Sequence, residues 1–381
     1  MNTITSNLYE ESIRMLWASQ LVYSFATLVR EGRAGNLDLG DTFPPEVLSH
    51  FKDNRLDVRD LEDGKGLSFN TVAKIVKDNV DNLSPYDAEI IEKIQTIEDA
   101  DKRSDSLFLE TFSCIDQATQ CVYGVVKDTV NKRATVVFRG STDLSTRDWQ
   151  TNLSAKSTGM QTPNLLKDRL KGSLKERVLV HRGFYRYIFD NKRAKYDQRY
   201  DMILGDIKPF VDEGYKIYVT GHSLGAALST MLAFKLAGED KEWIPKPITC
   251  INYASPRVGT GGFRTAFTEL EKMGLIRHLR VNIDNDFVPV IPPISLGCRG
   301  KRTMKHVGIN LRLSRNSFIL SHPSTNGLGI VNALRNSMIK PVCCALKYHR
   351  LSLHEARMDK QKDAIKKMHL DDLYADKNLF K

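Results

Sequence analysis

The chain has 381 residues, 41% of them hydrophobic, which is enough apolar material for a packed core and excludes a disordered polypeptide. Its formal net charge of +10 is regional, because residues 287–354 hold ten Lys and Arg with no Asp or Glu, and the rest of the chain balances. No aromatic residues alternate with these charges, and the six cysteines show no metal-ligand spacing, so neither a nucleic-acid partner nor a zinc site is expected.

The first residues carry two acids and no basic n-region. The apolar stretch after them is interrupted by Arg14 and Arg30, so it reads as a helix and not as a secretory signal. Leu16, Val22, Phe25, Ala26 and Val29 fall at helical spacing, which predicts an amphipathic helix over 8–30, and a second is expected at 68–98. Residues 1–110 thus read as a mainly helical N-terminal extension packing on the core. The pattern then changes. Short Val- and Phe-rich runs at 121–127 and 134–139 flank Asn131 and Lys132, which predicts a β-hairpin. Strands are predicted at 178–180, 215–220, 247–254, 276–283 and 306–313. Helices are predicted near 197–213, 224–238, 261–273 and 327–339, and again from about 350. Strands alternating with helices predict an α/β fold on a mostly parallel sheet, here spanning 111–358, with a polar C-terminal tail at 359–381. Two stretches, 217–234 and 316–334, have membrane-like length. The first reads as strand, turn and helix and the second is rich in Ser and Asn, so neither is a transmembrane span. Reduced thiols and an intracellular location are expected, in the cytoplasm or peripheral on membranes or lipid droplets.

The chemistry is concentrated at Gly221-His222-Ser223-Leu224-Gly225, a G-x-S-x-G between a predicted strand and an apolar helix. In that setting the glycines permit a sharp turn, Ser223 is presented at its tip, and the Leu224 amide is a candidate oxyanion donor at a helix N-terminus. A serine nucleophile needs a base, and the base needs an orienting carboxylate, in the chain order Ser, acid, His. The strand at 276–283 runs into Asp284-Asn285-Asp286, and residue chemistry does not separate the two aspartates. Five histidines come after that turn. His306 lies in a strand-like run, His322 in a loop, His349 and His354 at the head of the last strong helix, and His369 in the tail. The run 134–139 leads into Gly140-Ser141, the natural place for a second oxyanion donor.

Taken in order, VVFRGS at 136–141, DW at 148–149, VHRGF at 180–184, VTGHSLGAALS at 219–229, YASPRVG at 253–259, DFVPVIPP at 286–293, HVG at 306–308 and YHRL at 348–351 resemble the class 3, fungal-type lipases of the α/β-hydrolase superfamily. The resemblance extends over 112–358. It implies an α/β-hydrolase fold, with Ser223 as nucleophile, Asp286 chosen over Asp284 because it precedes Phe287-Val288-Pro289, and His349 as base. It also implies an oxyanion hole from Ser141 and Leu224. The segment at 142–153 takes the place of a lid, with Trp149 as apolar anchor and Asp143 and Asp148 among the charges on its outer face. One departure is His354, which stands where the family's H-x-L-x-x-Y pattern has Tyr.

The implied function is hydrolysis of acylglycerol carboxylic esters through an acyl-serine, gated at a lipid interface, with lipid ester as partner and no metal or organic cofactor required. Phospholipase A1 or galactolipase activity on polar glycerolipids is an alternative, and so is a soluble esterase. A non-catalytic lipase-like binding or signalling module is the alternative of another class.

Overall fold

A computed structural model describes residues 6–33, 55–59, 65–72, 74, 106–114, 121–141, 156–170, 178–189, 199–292, 303–322 and 347–376. In chain order its strands are β1 (Arg55–Asp57), β2 (Leu67–Ser68), β3 (Leu107–Ser113), β4 (Tyr123–Asp128), β5 (Arg133–Phe138), β6 (Ser157–Gly159), β7 (Leu179–His181), β8 (Lys216–Gly221), β9 (Ile248–Tyr253), β10 (Ile276–Ile283), β11 (Ile309–Leu313) and β12 (Phe318–Ser321). Its helices are α1 (Leu8–Arg33), α2 (Arg182–Phe189), α3 (Arg199–Asp212), α4 (Leu224–Ala237), α5 (Gly261–Lys272), α6 (Leu351–Lys360), α7 (Lys362–Ile365) and α8 (Leu370–Ala375).

The main sheet runs β1-β3-β4-β5-β8-β9-β10-β11-β12, with β2 paired to β3. From β5 through β11 every neighbour is parallel, and the pairings at the two ends are antiparallel. The central strands are buried along almost their whole length, as strands covered on both faces are. One face is covered by α2 to α5 and the other by α1 and α6 to α8, each with its own core. This is the α/β-hydrolase arrangement. The predicted hairpin is β4–β5, turned at Asn131, whose N–H donates to Asp128 Oδ1 at 2.9 Å.

Three expectations change. The first helix is not amphipathic in its surroundings: from Leu8 to Val29 every residue but Glu10 is buried. Its charged and amide side chains, and Trp17, find partners inside the protein. Arg133 lies 3.4 Å from Glu11. Arg14 pairs with Asp128 at 2.5 Å. Trp17 and Gln20 donate to Glu355 of α6 at 3.0 and 3.1 Å. Second, the N-terminal third is not only helical, because β1, β2 and the first half of β3 join the main sheet. Third, the tail folds back: Ile365 and Leu370 are buried in the α1 core, and the Leu8 N–H donates to Met368 O at 2.8 Å. Of the predicted 68–98 helix, Ser68 ends β2 and residues 69–72 and 74 are helical, while the rest of it, and 327–339, lie outside the described residues.

Glu110 on β3 is buried beside Lys127, whose Nζ lies 3.5 Å away, and burial pushes its carboxyl up to about 7. A carboxyl raised on folding contributes stability fully below its unfolded value near 4.5 and loses it as pH rises through about 7. Urea denaturation should therefore show up to about 3 kcal/mol less stability at pH 8 than at pH 4.5 from this group. Glu110→Gln should remove that part of the slope.

Candidate active site

The turn between β8 and α4 is built by close approach. A Cβ on Gly221 would lie 2.5 Å from the Gly225 carbonyl carbon and oxygen, and one on Gly225 would lie 2.1 Å from Phe138 O at the end of β5. Only glycine lets β5 and the start of α4 meet this tightly. Ser223, between them, has φ 60° and ψ −123°, a conformation that non-glycine residues rarely adopt. Backbone bonds hold it: its N–H donates to Tyr253 O at 3.0 Å, and its carbonyl accepts from the N–H groups of Ala226 at 3.0 Å and Ala227 at 3.4 Å. A serine at a helix N-cap usually bonds an amide of the first turn, but Ser223 Oγ makes no such bond. Strain and lost capping together keep the hydroxyl uncommitted. The amide of Leu224, first in α4, has no intrahelical acceptor and stands at the positive end of the helix dipole.

The loop after β5 lies against this turn. A Cβ on Gly140 would be 2.7 Å from His222 O and 3.2 Å from Ser223 Cβ, so Ser141 follows a residue in contact with the turn. Asp286 stands on the turn after β10, where Asn285 has φ 70°. Its Oδ1 accepts from Val288 N–H at 3.0 Å, which fixes the carboxylate plane. His349 sits in a 3-10 turn (Lys347–His349) just ahead of α6, and its Nδ1 is 3.0 Å from Asp286 Oδ2 and 3.1 Å from Oδ1. Its ring lies 4.5 Å, centroid to centroid, from that of His222, the residue before Ser223. Ser223, Asp286 and His349 are each buried.

The competing candidates lie elsewhere. Asp284 is half exposed, accepting from Ser314 Oγ and pairing with Arg312 at 3.4 Å. His322 is buried against Glu271, Nε2 to Oε2 3.2 Å, and His306 Nε2 bonds Pro289 O at 2.7 Å. His369 contacts the carbonyl of Ser6 at 3.3 Å. His354 is near the site without joining the dyad. Its Nδ1–H donates to Arg350 O at 2.9 Å, and burial holds its pKa down at about 4. The lid expected at 142–153, with Asp143, Asp148 and Trp149, lies outside the described residues. Two residues enter that were not selected from the sequence. His222 occupies the variable position of G-x-S-x-G, and Tyr23 reaches the turn from α1, its hydroxyl 3.3 Å from His222 Nδ1. Among the described residues no group of three or more His, Cys, Asp or Glu is placed to hold a metal ion.

Residues 135–296 match the family model for class 3 lipases. The chain is 37% identical over 134 residues to phospholipase A1-II 7 of Oryza sativa subsp. indica, covering 31% of this chain and 32% of that protein. It is 33% identical over 140 residues to phospholipase A1-IIgamma of Arabidopsis thaliana, covering 33% and 32%. The matches thus span about a third of the length of these relatives. A triacylglyceride lipase structure from Rhizomucor miehei aligns at 20% identity with a TM-score of 0.47, covering 66% of this chain and 84% of that one.

The close approach at the turn is open to a paired test. Gly225→Ala should cost about 2–3 kcal/mol in urea denaturation, because a methyl group has no room against Phe138 O. Gly205→Ala on α3, where a Cβ meets nothing within 4 Å, should instead gain about 0.5–1 kcal/mol.

Proposed function

We propose that this chain, built around a class 3 lipase region, hydrolyses carboxylic esters of acyl lipids through an acyl-serine. The observation that carries this reading is His349 Nδ1 at 3.0 Å from Asp286, with the His349 ring against the residue that precedes Ser223. The Nδ1–H of His349 donates to the carboxylate, so Nε2 is the basic nitrogen. His349 Nε2 takes the Ser223 Oγ proton as Oγ attacks the acyl carbonyl. The tetrahedral oxyanion is stabilised by the amides of Ser141 and Leu224. Collapse expels the alcohol, which leaves with the proton from His349. Water, activated by the same nitrogen, then releases the fatty acid and restores Ser223. Asp286 keeps the imidazole oriented and offsets its charge. Each oxyanion donor contributes on the order of 3 kcal/mol to lowering the barrier.

Within this chemistry acylglycerols are the first substrate class and polar glycerolipids cleaved in phospholipase A1 fashion are the second. Two observations favour keeping the second. The two plant relatives are phospholipases A1, and the acid-free basic stretch 287–354 starts one residue after Asp286 and ends just past His349. Basic side chains at an anionic membrane each add about 1 kcal/mol of attraction.

Purified protein incubated with tri-, di- and monoacylglycerols, phospholipids and galactolipids should release fatty acid from at least one class and label at Ser223 with a fluorophosphonate. Ser223→Ala should abolish both, and Asp286→Asn should lower kcat by about 10⁴-fold. No release and no labelling would favour a non-catalytic lipid-binding module. Binding to anionic vesicles above neutral ones, lost at high salt, is expected if the basic stretch meets the interface. Equal binding to both would remove that role while leaving the hydrolase reading in place.

A further inference from the structure

Tyr23 takes no part in the acyl-transfer steps, yet its hydroxyl sits where the two catalytic loops meet. It accepts a hydrogen bond from the Gly140 N–H at 2.8 Å and lies 3.3 Å from His222 Nδ1. Gly140 immediately precedes Ser141, and His222 immediately precedes Ser223. There is little slack around this junction, because a Cβ on Gly140 would fall 2.4 Å from the Tyr23 hydroxyl oxygen. The Tyr23 ring meets His222 edge-on, with centroids 6.1 Å apart and planes at 62°. His222 in turn packs at a tilt against the base, its centroid 4.5 Å from that of His349 at an interplanar angle of 34°. The helix that carries Tyr23 is held by Trp17 and Gln20 to Glu355 on α6, the helix that follows His349.

Resting on the acyl-serine reading, we propose that Tyr23 is a positioning residue for ester hydrolysis. Its hydroxyl sets the spacing between the oxyanion loop and the nucleophile turn, and it holds the His222 ring as the surface on which His349 rests. The hydroxyl accepts from the Gly140 N–H and still has a hydrogen to donate, which we assign to His222 Nδ1. That leaves His222 as its Nε2–H tautomer. The ring can accept this bond because burial drives its pKa well below the ordinary histidine value and keeps it neutral. A neutral hydrogen bond of this kind is worth a few-fold to about tenfold in an equilibrium or rate. Its effect should fall on kcat, because the bonded groups position the reacting atoms and do not touch the bound ester.

Tyr23→Phe removes the hydroxyl and keeps the ring. With a soluble short-chain aryl ester, and with rates taken per fluorophosphonate-titrated site so that misfolded protein is not counted, kcat should fall about 3- to 10-fold with KM unchanged. In a His222→Phe background the same change should cost less than in the parent, since the bond to His222 is already gone and only that from Gly140 remains to be lost. An active parent with an unaltered kcat per site in Tyr23→Phe would overturn the proposal. A raised KM at constant kcat would also overturn it, because Tyr23 would then be a substrate contact. A full additional loss in the His222→Phe background would separate Tyr23 from His222 and overturn the linkage. A parent that neither hydrolyses ester nor labels would overturn the acyl-serine reading itself, and the proposal with it.

Discussion

The helix α1 is enclosed on nearly all sides, and a buried helix can keep charged and amide side chains only where the surrounding elements supply partners. Those partners are the elements that carry the site. Arg14 engages Asp128 at the end of β4, and Glu11 lies near Arg133 at the start of β5 and accepts from the Tyr218 hydroxyl in β8 at 3.2 Å. The carbonyl of Ser12 accepts from Tyr253 at the end of β9, the same residue whose own carbonyl holds Ser223 N–H. Trp17 and Gln20 fix α6, and the Tyr23 hydroxyl meets the residue before Ser141. One helix therefore sets the relative positions of the strands that lead into the Ser223 and Gly140 turns and of the helix that follows His349. Truncating one partner of such a pair leaves a buried charge or donor without compensation, and that penalty makes the arrangement specific.

The Ser223 turn depends on the same frame. A residue at φ 60° and ψ −123° persists only when its neighbours over-determine it. Here β5 presses on Gly221 and Gly225 from one side, while Tyr253 O holds the Ser223 amide from the other. The apolar length of α4, buried from Leu224 to Phe234, anchors the chain on the C-terminal side of the serine. The strain is thus carried by sheet and helix packing and not by the loop itself, and the hydroxyl is left without its usual capping bond.

Much of this could be read from residue order because it is local. Strands alternating with helices from about 112 onward, the turn chemistry of the β4–β5 hairpin and the G-x-S-x-G flanks each depend on neighbours within a few positions. What could not be read depends on distant partners. Nothing next to Glu11, Arg14 and Gln20 in the sequence announces a buried partner, yet their partners lie at Arg133, Asp128 and Glu355. β1 and β2 are three and two residues long, too short for any periodicity, and the apolar run of β3 is broken by Glu110. Asp284 and Asp286 differ only through the left-handed Asn285 between them, which turns one carboxylate toward Arg312 and the other toward His349. Tyr23 has no motif at all. Its importance comes from where α1 crosses the sheet.

Three imidazoles, those of His222, His349 and His354, share one buried cluster, and their charges oppose one another. At most one of them can carry a proton cheaply in such surroundings. Burial keeps His222 and His354 neutral, and the hydrogen bonds available to them are with a tyrosine hydroxyl and a backbone carbonyl, neither of which carries a compensating charge. Only His349 has a carboxylate within hydrogen-bond distance, and that carboxylate is itself oriented by the Val288 amide. The carboxylate therefore sets His349 apart from the other two rings, and it is what makes His349 the base in the proposed acyl transfer. His354, where a tyrosine would complete the family pattern, serves this end as a neutral wall: it stands edge-on to His222 and Tyr253 and anchors its own ring to the first turn of α6.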